Sequence, residues 1–181
     1  MKDKNFINSA LSVIEIESKA VMNLRNQIQS DFESLCSNIL QIKGKLILMG
    51  IGKSGHIAQK ISATLSSTGT SSFFIHPTEA AHGDLGMIND GDTVIALSYS
   101  GETAELIDLL PFIKRLDVRI IAITKCKDSS LAEHSDITLC TPIKREACPL
   151  NLAPTSSSTA ALVMGDALAM ALLDHRGFTH D

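Results

Sequence analysis

The sequence predicts an α/β fold of the doubly wound class, and two observations carry this prediction. Five short apolar runs follow one another along the chain, and helical or turn segments separate them. Continuous apolar strands that alternate with helices are typical of a parallel sheet covered on both faces. The predicted strands are 45–49, 72–75, 93–98, 119–124 and 136–140.

Length and composition favour one domain. The 181 residues, of which 44% are hydrophobic, can bury one substantial core but are few for two. We therefore expect a single domain over residues 1–181. In this domain, N-terminal helices occupy about 4–43, and the sheet with its covering helices occupies about 45–175.

The N-terminal helices are predicted from the spacing of apolar residues. Ile7, Leu11 and Ile14 begin a stripe at helical spacing, and a second helix is predicted over 31–43. Both precede the first strand.

A long final helix is predicted over 155–175. Apolar residues surround most of its circumference, so we expect it to pack against another subunit as well as its own sheet. The alternative is a helix central to the monomer. Its most apolar stretch, 160–173, is interrupted by Gly165 and Asp166 and is too short to span a bilayer, so no membrane segment is expected.

Charge and cysteine usage narrow the class of protein. The formal net charge is −4 and no cluster of Lys and Arg stands out, so a nucleic-acid partner is not expected. The N-terminus lacks an apolar leader, which favours a cytoplasmic location. The four cysteines show no Cys-x-x-Cys spacing, so we expect free thiols, without a disulfide framework or a structural zinc site. They are Cys36, Cys126, Cys140 and Cys148.

A hydroxyl-rich turn, Ser-Tyr-Ser-Gly-Glu-Thr at 98–103, follows the third predicted strand and precedes an amphipathic stretch. The first amides of a helix lack partners and the helix dipole is positive there, so an anion gains hydrogen bonds and favourable charge. Ser98, Ser100 and Thr103 add hydroxyls, and Gly101 lets the backbone approach closely. The turn predicts a phosphate site, with an ordinary helix cap as the alternative.

A glycine turn follows the first predicted strand, and residues 50–55 match Gly-x-Gly-x-x-Gly. A dinucleotide site also needs an acidic residue at the end of the second strand, which is absent. A nucleoside triphosphate loop fails because Ile47 takes the place of its first glycine. What remains is a turn that offers backbone amides at Gly52, together with Lys53 and Ser54.

The two turns are expected to form one site. They follow the first and third strands, so they share a crevice if the sheet changes direction between these strands. Lys53 then supplies a point charge for a phosphate, carbonyl or hydroxyl of the ligand; the alternative is a solvated surface lysine.

Other residues that could carry chemistry lie outside these turns. Two histidines and two carboxylates occur within 76–86, but they lack helical metal-site spacing and serve equally well as caps or donors to sugar hydroxyls. Glu102, Glu105 and Glu146 are candidates for proton transfer. Glu102 and Glu105 are three residues apart and are predicted on similar sides of one helix.

Together these segments resemble the sugar isomerase (SIS) domain, and within it the arabinose 5-phosphate isomerases of 3-deoxy-D-manno-octulosonate biosynthesis. The resemblance runs from about Leu46 to Phe178. The Ser-x-Ser-Gly-Glu element is general to SIS domains, whereas the His-Gly-Asp-Leu-Gly and Glu-Ala-Cys-Pro-Leu elements indicate the isomerase subgroup. The elements are Ser-Tyr-Ser-Gly-Glu at 98–102, His-Gly-Asp-Leu-Gly at 82–86 and Glu-Ala-Cys-Pro-Leu at 146–150.

The resemblance implies a three-layer α/β/α sandwich with a five-stranded parallel sheet, in a homotetramer whose active sites draw residues from neighbouring subunits. The implied reaction interconverts D-ribulose 5-phosphate and D-arabinose 5-phosphate through a cis-enediol and opens octulosonate, hence lipopolysaccharide, biosynthesis. No cofactor and no metal are implied, although zinc could bind adventitiously at His82.

The resemblance also implies roles for individual residues. We expect Glu146 to be the base, a role that suits a carboxylate if partial burial raises its pKa toward neutrality. Glu105 is a second acid/base or a hydroxyl ligand, and Lys53 and His82 are donors to the oxygens of the intermediate. The implied phosphate ligands are Ser54, Ser98, Ser100 and Thr103, beside the turn at Gly52.

Two family features are absent from the 181 residues: a histidine beyond the match to 176–178, and a pair of CBS regulatory modules. The resemblance therefore implies an isolated catalytic domain that binds the substrate but lacks one histidine that the family is proposed to use at the active site. Two other functions stay open. One is a phosphosugar sensor without turnover, and the other is an isomerase of another sugar phosphate.

Overall fold

The computed structural model describes residues 5–177. Residue 4 of the predicted N-terminal helices and Phe178 of the family resemblance lie outside this range. The strands are β1 Leu46–Gly50, β2 Ser72–Ile75, β3 Thr93–Leu97, β4 Arg119–Thr124 and β5 Ile137–Cys140. The helices are α1 Phe6–Asn23, α2 Ser30–Gln41, α3 Lys53–Ser67, α4 Pro77–Ala81, α5 Ala104–Ile107, α6 Leu110–Lys114, α7 Ser130–Glu133 and α8 Ser156–His175.

The five strands form one parallel sheet in the order β2-β1-β3-β4-β5. The chain moves from β1 outward to β2 and then returns to the other side of β1, where β3 pairs with it. The last residues of these two strands, Gly50 and Leu97, are partners in the register. The sheet therefore changes direction between β1 and β3, and the predicted α/β fold is confirmed.

Alternate residues of each strand feed two separate cores. In β1, Leu46 and Leu48 belong to the core under α2, α3 and α8, whereas Ile47 and Met49 belong to the core under α4, α5, α6 and α7. All four side chains are fully buried. Both faces of the sheet are thus covered, which gives the α/β/α layering and explains why the strand interiors are mostly apolar.

Helix α8 lies inside the chain rather than at its edge. It packs against α3, α1 and α2, and the hydroxyl of Thr159 donates to Glu17 of α1 at 2.9 Å. These neighbours bury much of its apolar circumference, as the alternative of a helix central to the monomer predicts. Met170 of α8 is 45% exposed, and a further contact with another subunit stays a prediction. Helix α8 has 20 residues, close to the predicted range 155–175. By length and composition alone it could cross a membrane, although 44% of the most apolar window is buried within the chain.

The apolar stripe of α1 is largely open to solvent. Phe6, Ile7, Leu11 and Ile14 are between 58% and 91% exposed, whereas Ala20, near the end of α1, is buried. The hydrogen bond to α8 is made by Glu17, beyond these four residues, so the described part of the chain leaves the first half of the stripe uncovered.

A glycine in α8 allows close contact with α3. A Cβ built on Gly165 would lie 2.3 Å from Cδ1 of Ile61 and 2.9 Å from its Cγ2. Because these atoms lie on both branches of Ile61, one rotamer change cannot relieve the overlap. Gly165 therefore sets the distance between the two long helices on this face.

We expect Gly165→Ala to destabilise the protein although alanine favours helices. The helical gain is about 0.5–1 kcal/mol, and overpacking costs about 1–3 kcal/mol. The free energy of unfolding, measured by urea denaturation, should fall by roughly 1 kcal/mol. Gly86→Ala is the control, because a Cβ there meets no atom within 4 Å. A Gly165→Ala protein more stable than the wild type would contradict this account.

Candidate active site

A cavity of about 440 Å³ opens at the carboxyl ends of β1, β3 and β4. The first turns of α3 and α8 and the long segment between β5 and α8 close its sides. The position is the one where open parallel sheets bind ligands, beside the change of direction between β1 and β3. The polar residues that line the cavity are Lys53, Ser54, Ser98, Tyr99, Lys125, Thr141, Lys144, Arg145, Glu146, Asn151, Ser157 and Ser158.

The cavity lining is rich in positive charge. Four cationic residues line the cavity, and the one acidic residue among the described residues of its lining is Glu146; the cations are Lys53, Lys125, Lys144 and Arg145. Clefts lined by one sign of charge concentrate ligands of the opposite sign. The site is therefore suited to an anion that also carries groups able to meet a carboxylate.

The turn after β1 brings the start of α3 to the cavity. Gly52 adopts a φ of +58°, which favours glycine, and a Cβ on Gly55 would lie 2.7 Å from the carbonyl oxygen of Gly50. These two requirements let the helix begin directly at the strand end. Lys53 and Ser54 then occupy the first turn of a 15-residue helix, where amides without helical partners point toward an anion.

The turn after β3 holds a cluster of hydroxyls. The Oγ of buried Ser98 lies 2.8 Å from Oγ1 of Thr103 and 3.5 Å from Oγ of Ser100, and it accepts from the amide of Gly101 at 3.1 Å. Gly101 has a φ of +72°, and a Cβ there would lie 2.2 Å from Oγ of Ser129. Ser98 lines the cavity, while Ser100 is exposed and Thr103 half-buried at the same turn.

The helix predicted after this turn is two short helices, α5 and α6. Pro111 lies in the first turn of α6, where its missing N–H costs no hydrogen bond, and it prevents a continuous helix through that point. With only four residues, α5 has a smaller dipole than the prediction assumed. Anion binding at this turn therefore depends on its hydroxyls and loop amides.

Glu102 holds the turn in place instead of facing the cavity. It precedes α5, and its carboxylate accepts from the amide of Ser130 at 2.8 Å and from the hydroxyl of Ser130 at 2.6 Å. The expectation that Glu102 and Glu105 share a helix face is therefore wrong. The hydroxyl and then the amide of Ser130 lower the pKa of Glu102 from its ordinary value.

Glu146 lies at the N-terminus of α8. Its Oε2 accepts from the amide of Thr155 at 2.9 Å, from the hydroxyl of Thr155 at 3.1 Å and from the amide of Ser157 at 3.1 Å. Burial raises the pKa of Glu146, but the donors of Ser157 and Thr155 outweigh it, so the net shift is downward. Burial therefore gives no net rise in the pKa of Glu146, because the donors at the start of α8 oppose desolvation.

Two of the predicted catalytic residues lie away from this cavity. Glu105, exposed on α5, lines a separate depression of about 350 Å³ between α4 and α6. His82 is exposed at the end of α4. One chain thus brings together Lys53, Ser54 and Glu146 with the turn at Ser98, but it does not bring Glu105 or His82 to them. In the part of the chain described here, no three acidic, His or Cys side chains form a metal-binding group.

Sequence reasoning missed several cavity residues, of which three bear on the site. Lys125 directly follows β4, next to β3, and its position after a central strand could have indicated it. Tyr99 lies within the predicted turn, and burial followed by the charge of Glu146 raises the pKa of its hydroxyl, with the Ile143 amide opposing. Asn151 accepts from the amide of Glu146 at 2.7 Å, a contact between loop residues that no periodic pattern encodes.

A family model described as the SIS domain matches residues 39–171, which include both turns and the cavity. The chain belongs to the SIS domain family. The match spans all five strands and most of α8.

Two relatives of this SIS domain share a name. Arabinose 5-phosphate isomerase KdsD of Escherichia coli O6:H1 is 53% identical over 175 residues, which make up 97% of this chain and 53% of that protein. Arabinose 5-phosphate isomerase KdsD of Pseudomonas aeruginosa is 54% identical over 175 residues, 97% of this chain and 54% of that protein. The chain thus spans about half the length of these relatives.

A solved structure resembles the SIS domain closely. It is that of a protein of Escherichia coli CFT073 in complex with arabinose 5-phosphate, and it matches with a TM-score of 0.94 at 44% identity. The match covers 99% of this chain and 96% of that chain.

The bond between Glu102 and Ser130 predicts a pH-dependent contribution to stability. Because the pKa of Glu102 is lowered in the folded state, its contribution is complete above the ordinary value of 4.5 and is lost as the pH falls through the folded-state pKa. Glu102→Gln should therefore lower the melting temperature near pH 7, and the difference from the wild type should shrink in acid. Glu133→Gln on α7 is the matched control. A difference that stays constant from neutral to acid pH would contradict this assignment.

Proposed function

We propose that this SIS domain is an aldose–ketose isomerase that interconverts D-ribulose 5-phosphate and D-arabinose 5-phosphate. One observation carries the proposal: a single cavity combines anion-binding turns and positive charge with one anchored, ionised carboxylate, Glu146. An isomerase of this kind needs a site that binds the phosphate in a fixed position and a base at the other end of the sugar. The names of the KdsD relatives support the choice of substrate.

In the proposed complex, the phosphate binds between the two turns. Ser54, Ser98, Ser100 and Thr103 donate hydroxyls, and the backbone around Gly52 supplies amides at the start of α3. The mutual contacts of Ser98 with Thr103 and Ser100 support this role, because three hydroxyls already gathered at one turn need little rearrangement to meet one anion. The phosphate is chemically inert here and serves as the anchor.

At the other end of the sugar, Glu146 removes the proton from the carbon next to the carbonyl. The carbonyl becomes one oxygen of a cis-enediol, and the proton returns to the neighbouring carbon. Lys53, in the same cavity, stabilises the negative charge that develops on that oxygen. The lowered pKa makes Glu146 a weaker base, but it keeps the carboxylate ionised across the neutral range.

Glu105 and His82 enter the proposal through assembly. Both are exposed in one chain and lie outside the cavity, so we propose that they reach an active site only across an interface in a homotetramer. The uncovered stripe of α1 supports association, since all four of its large apolar side chains are more than half exposed. Adventitious zinc binding at His82 stays a separate prediction.

We also propose that the domain works in the cytoplasm without a resident cofactor. The four cysteines of the described residues are free thiols, as suits a reducing compartment. The isomerisation moves a proton between adjacent carbons and needs no external oxidant, so the residues named above account for its chemistry.

We expect the purified protein to convert D-ribulose 5-phosphate to D-arabinose 5-phosphate, with deuterium incorporated from D₂O at the carbon that gains the proton. Glu146→Gln should lower kcat by about 10²–10⁴-fold, the usual worth of a general base. The conversion rate and the deuterium incorporation are both measured by proton NMR, and Glu133→Gln is the control variant.

The other outcomes of this assay are informative. Binding without conversion of any sugar phosphate would contradict the isomerase and favour a sensor. Conversion of a hexulose or heptose phosphate but not of ribulose 5-phosphate would contradict the proposed substrate and indicate an isomerase of another sugar phosphate. Full turnover by Glu146→Gln would remove Glu146 as the base.

The α1 stripe predicts the outcome of a separate experiment on assembly. Two charges introduced by Leu11→Asp and Ile14→Asp should shift the sedimentation pattern from a tetramer to smaller species, because the stripe would have to bury them. Glu15→Gln, next to the second position, is the control. A wild-type protein that sediments as a monomer at every concentration would contradict the assembly.

A further inference from the structure

Thr155 precedes α8 in the position of an N-cap, yet its side chain does not cap the helix. A threonine in this position ordinarily accepts a hydrogen bond from the second or third amide of the helix. Here the second amide, that of Ser157, is bound by Glu146 at 3.1 Å. The carboxylate has taken over the capping role, and the hydroxyl of Thr155 is available for something else.

That hydroxyl makes two contacts, and both lead to Glu146. It donates to Oε2 of Glu146 at 3.1 Å, and it accepts from the amide of Ala147 at 2.8 Å. The amide of Thr155 donates to the same Oε2 at 2.9 Å. One residue therefore holds both the carboxylate of Glu146 and the backbone that follows it.

We propose that Thr155 is a positioning residue for proton transfer by Glu146, a proposal that rests on the isomerase function above. Thr155 fixes Oε2 against the start of α8, which leaves Oε1 to meet the proton of the substrate. The same contact stabilises the charged form of the carboxylate. Thr155 itself touches no reacting atom and acts through Glu146.

Few other groups in the surroundings of Glu146 fix the direction of its carboxylate, so the contact with Thr155 matters. Glu146 lies in the segment between β5 and α8, which has no helix or strand of its own to fix a side chain. On the opposite side, the amide of Glu146 donates to Oδ1 of Asn151 at 2.7 Å, which fixes the backbone but not the carboxylate. The direction of the carboxylate is thus set from α8, chiefly by Thr155 and the amide of Ser157.

Three variants separate positioning from general stability. Thr155→Val keeps the shape of the side chain and removes the hydroxyl, and Thr155→Ser keeps the hydroxyl. Thr159→Val is the matched control, because Thr159 lies one turn further along α8 and its hydroxyl donates to Glu17 instead. For each, kcat and KM are measured across pH, and the pKa of Glu146 is measured by NMR of ¹³C-labelled glutamate side chains.

We expect Thr155→Val to lower kcat at least about tenfold, since small displacements of a catalytic group are costly, with little change in KM. The acidic limb of the kcat/KM profile and the NMR pKa of Glu146 should both move to higher pH, because a donor to the charged form is lost. Thr155→Ser should restore all three values, and Thr159→Val should leave them as in the wild type.

The readouts distinguish failure of this proposal from failure of the proposed function. If the wild type isomerises its substrate but Thr155→Val leaves kcat and the pKa of Glu146 unchanged, the positioning role is overturned. If kcat falls equally in Thr155→Val and Thr155→Ser, or in Thr159→Val, the role is structural and the proposal is likewise overturned. If the wild type turns over no sugar phosphate, the NMR pKa still decides whether Thr155 controls the charge of Glu146.

Discussion

The pairing of β3 with β1 is the constraint on which the rest of this molecule depends. Because the chain returns from β2 to the other side of β1, the turns after β1 and β3 lie side by side although about fifty residues of sequence separate them. Each turn alone resembles an ordinary helix start. Side by side, they offer amides and hydroxyls to one anion, and the glycines at 52 and 101 are required by the backbone at these points.

The charged side chains of the cavity are of two kinds: long cationic ones and one carboxylate that hydrogen bonds hold in place. Lys53, Lys125, Lys144 and Arg145 are long side chains able to follow a ligand, whereas the carboxylate of Glu146 is tied to the N-terminus of α8. A carboxylate in that position neutralises the helix end and gains hydrogen bonds. The same interaction that secures α8 to the loop therefore lowers the basicity of the one acidic residue among the described residues of the cavity lining, so the structural role of Glu146 opposes its proposed role as a base.

The sequence predicted most of the fold because each strand is a short apolar run, buried on both faces, whose limits are set by glycine, proline or polar residues. It also predicted the two turns, since glycine spacing and clustered hydroxyls are local. It could not predict the anchoring of Glu146, because Thr155 and Ser157 meet it only after the intervening loop has folded back. For a related reason it could not predict what covers α1 and α8: apolar periodicity indicates a helix and its apolar face, but not the partner that packs against that face.

In the proposed reaction, the positions of the acidic residues decide which groups can move the carbon-bound proton and which can move the hydroxyl proton. A cis-enediol presents both of its carbons on one face, so one carboxylate in the cavity, Glu146, can remove the proton and return it. The hydroxyl proton must also move between the two oxygens, which needs a second group able to donate and accept. In the proposal, Lys53 stabilises the charge on the oxygen, and the second acid/base, Glu105, lies on the other face of the sheet, in the layer of α4 and α6. A single chain therefore contains the phosphate anchor and the carbon base, and a role for Glu105 or His82 in chemistry requires that a neighbouring copy present them.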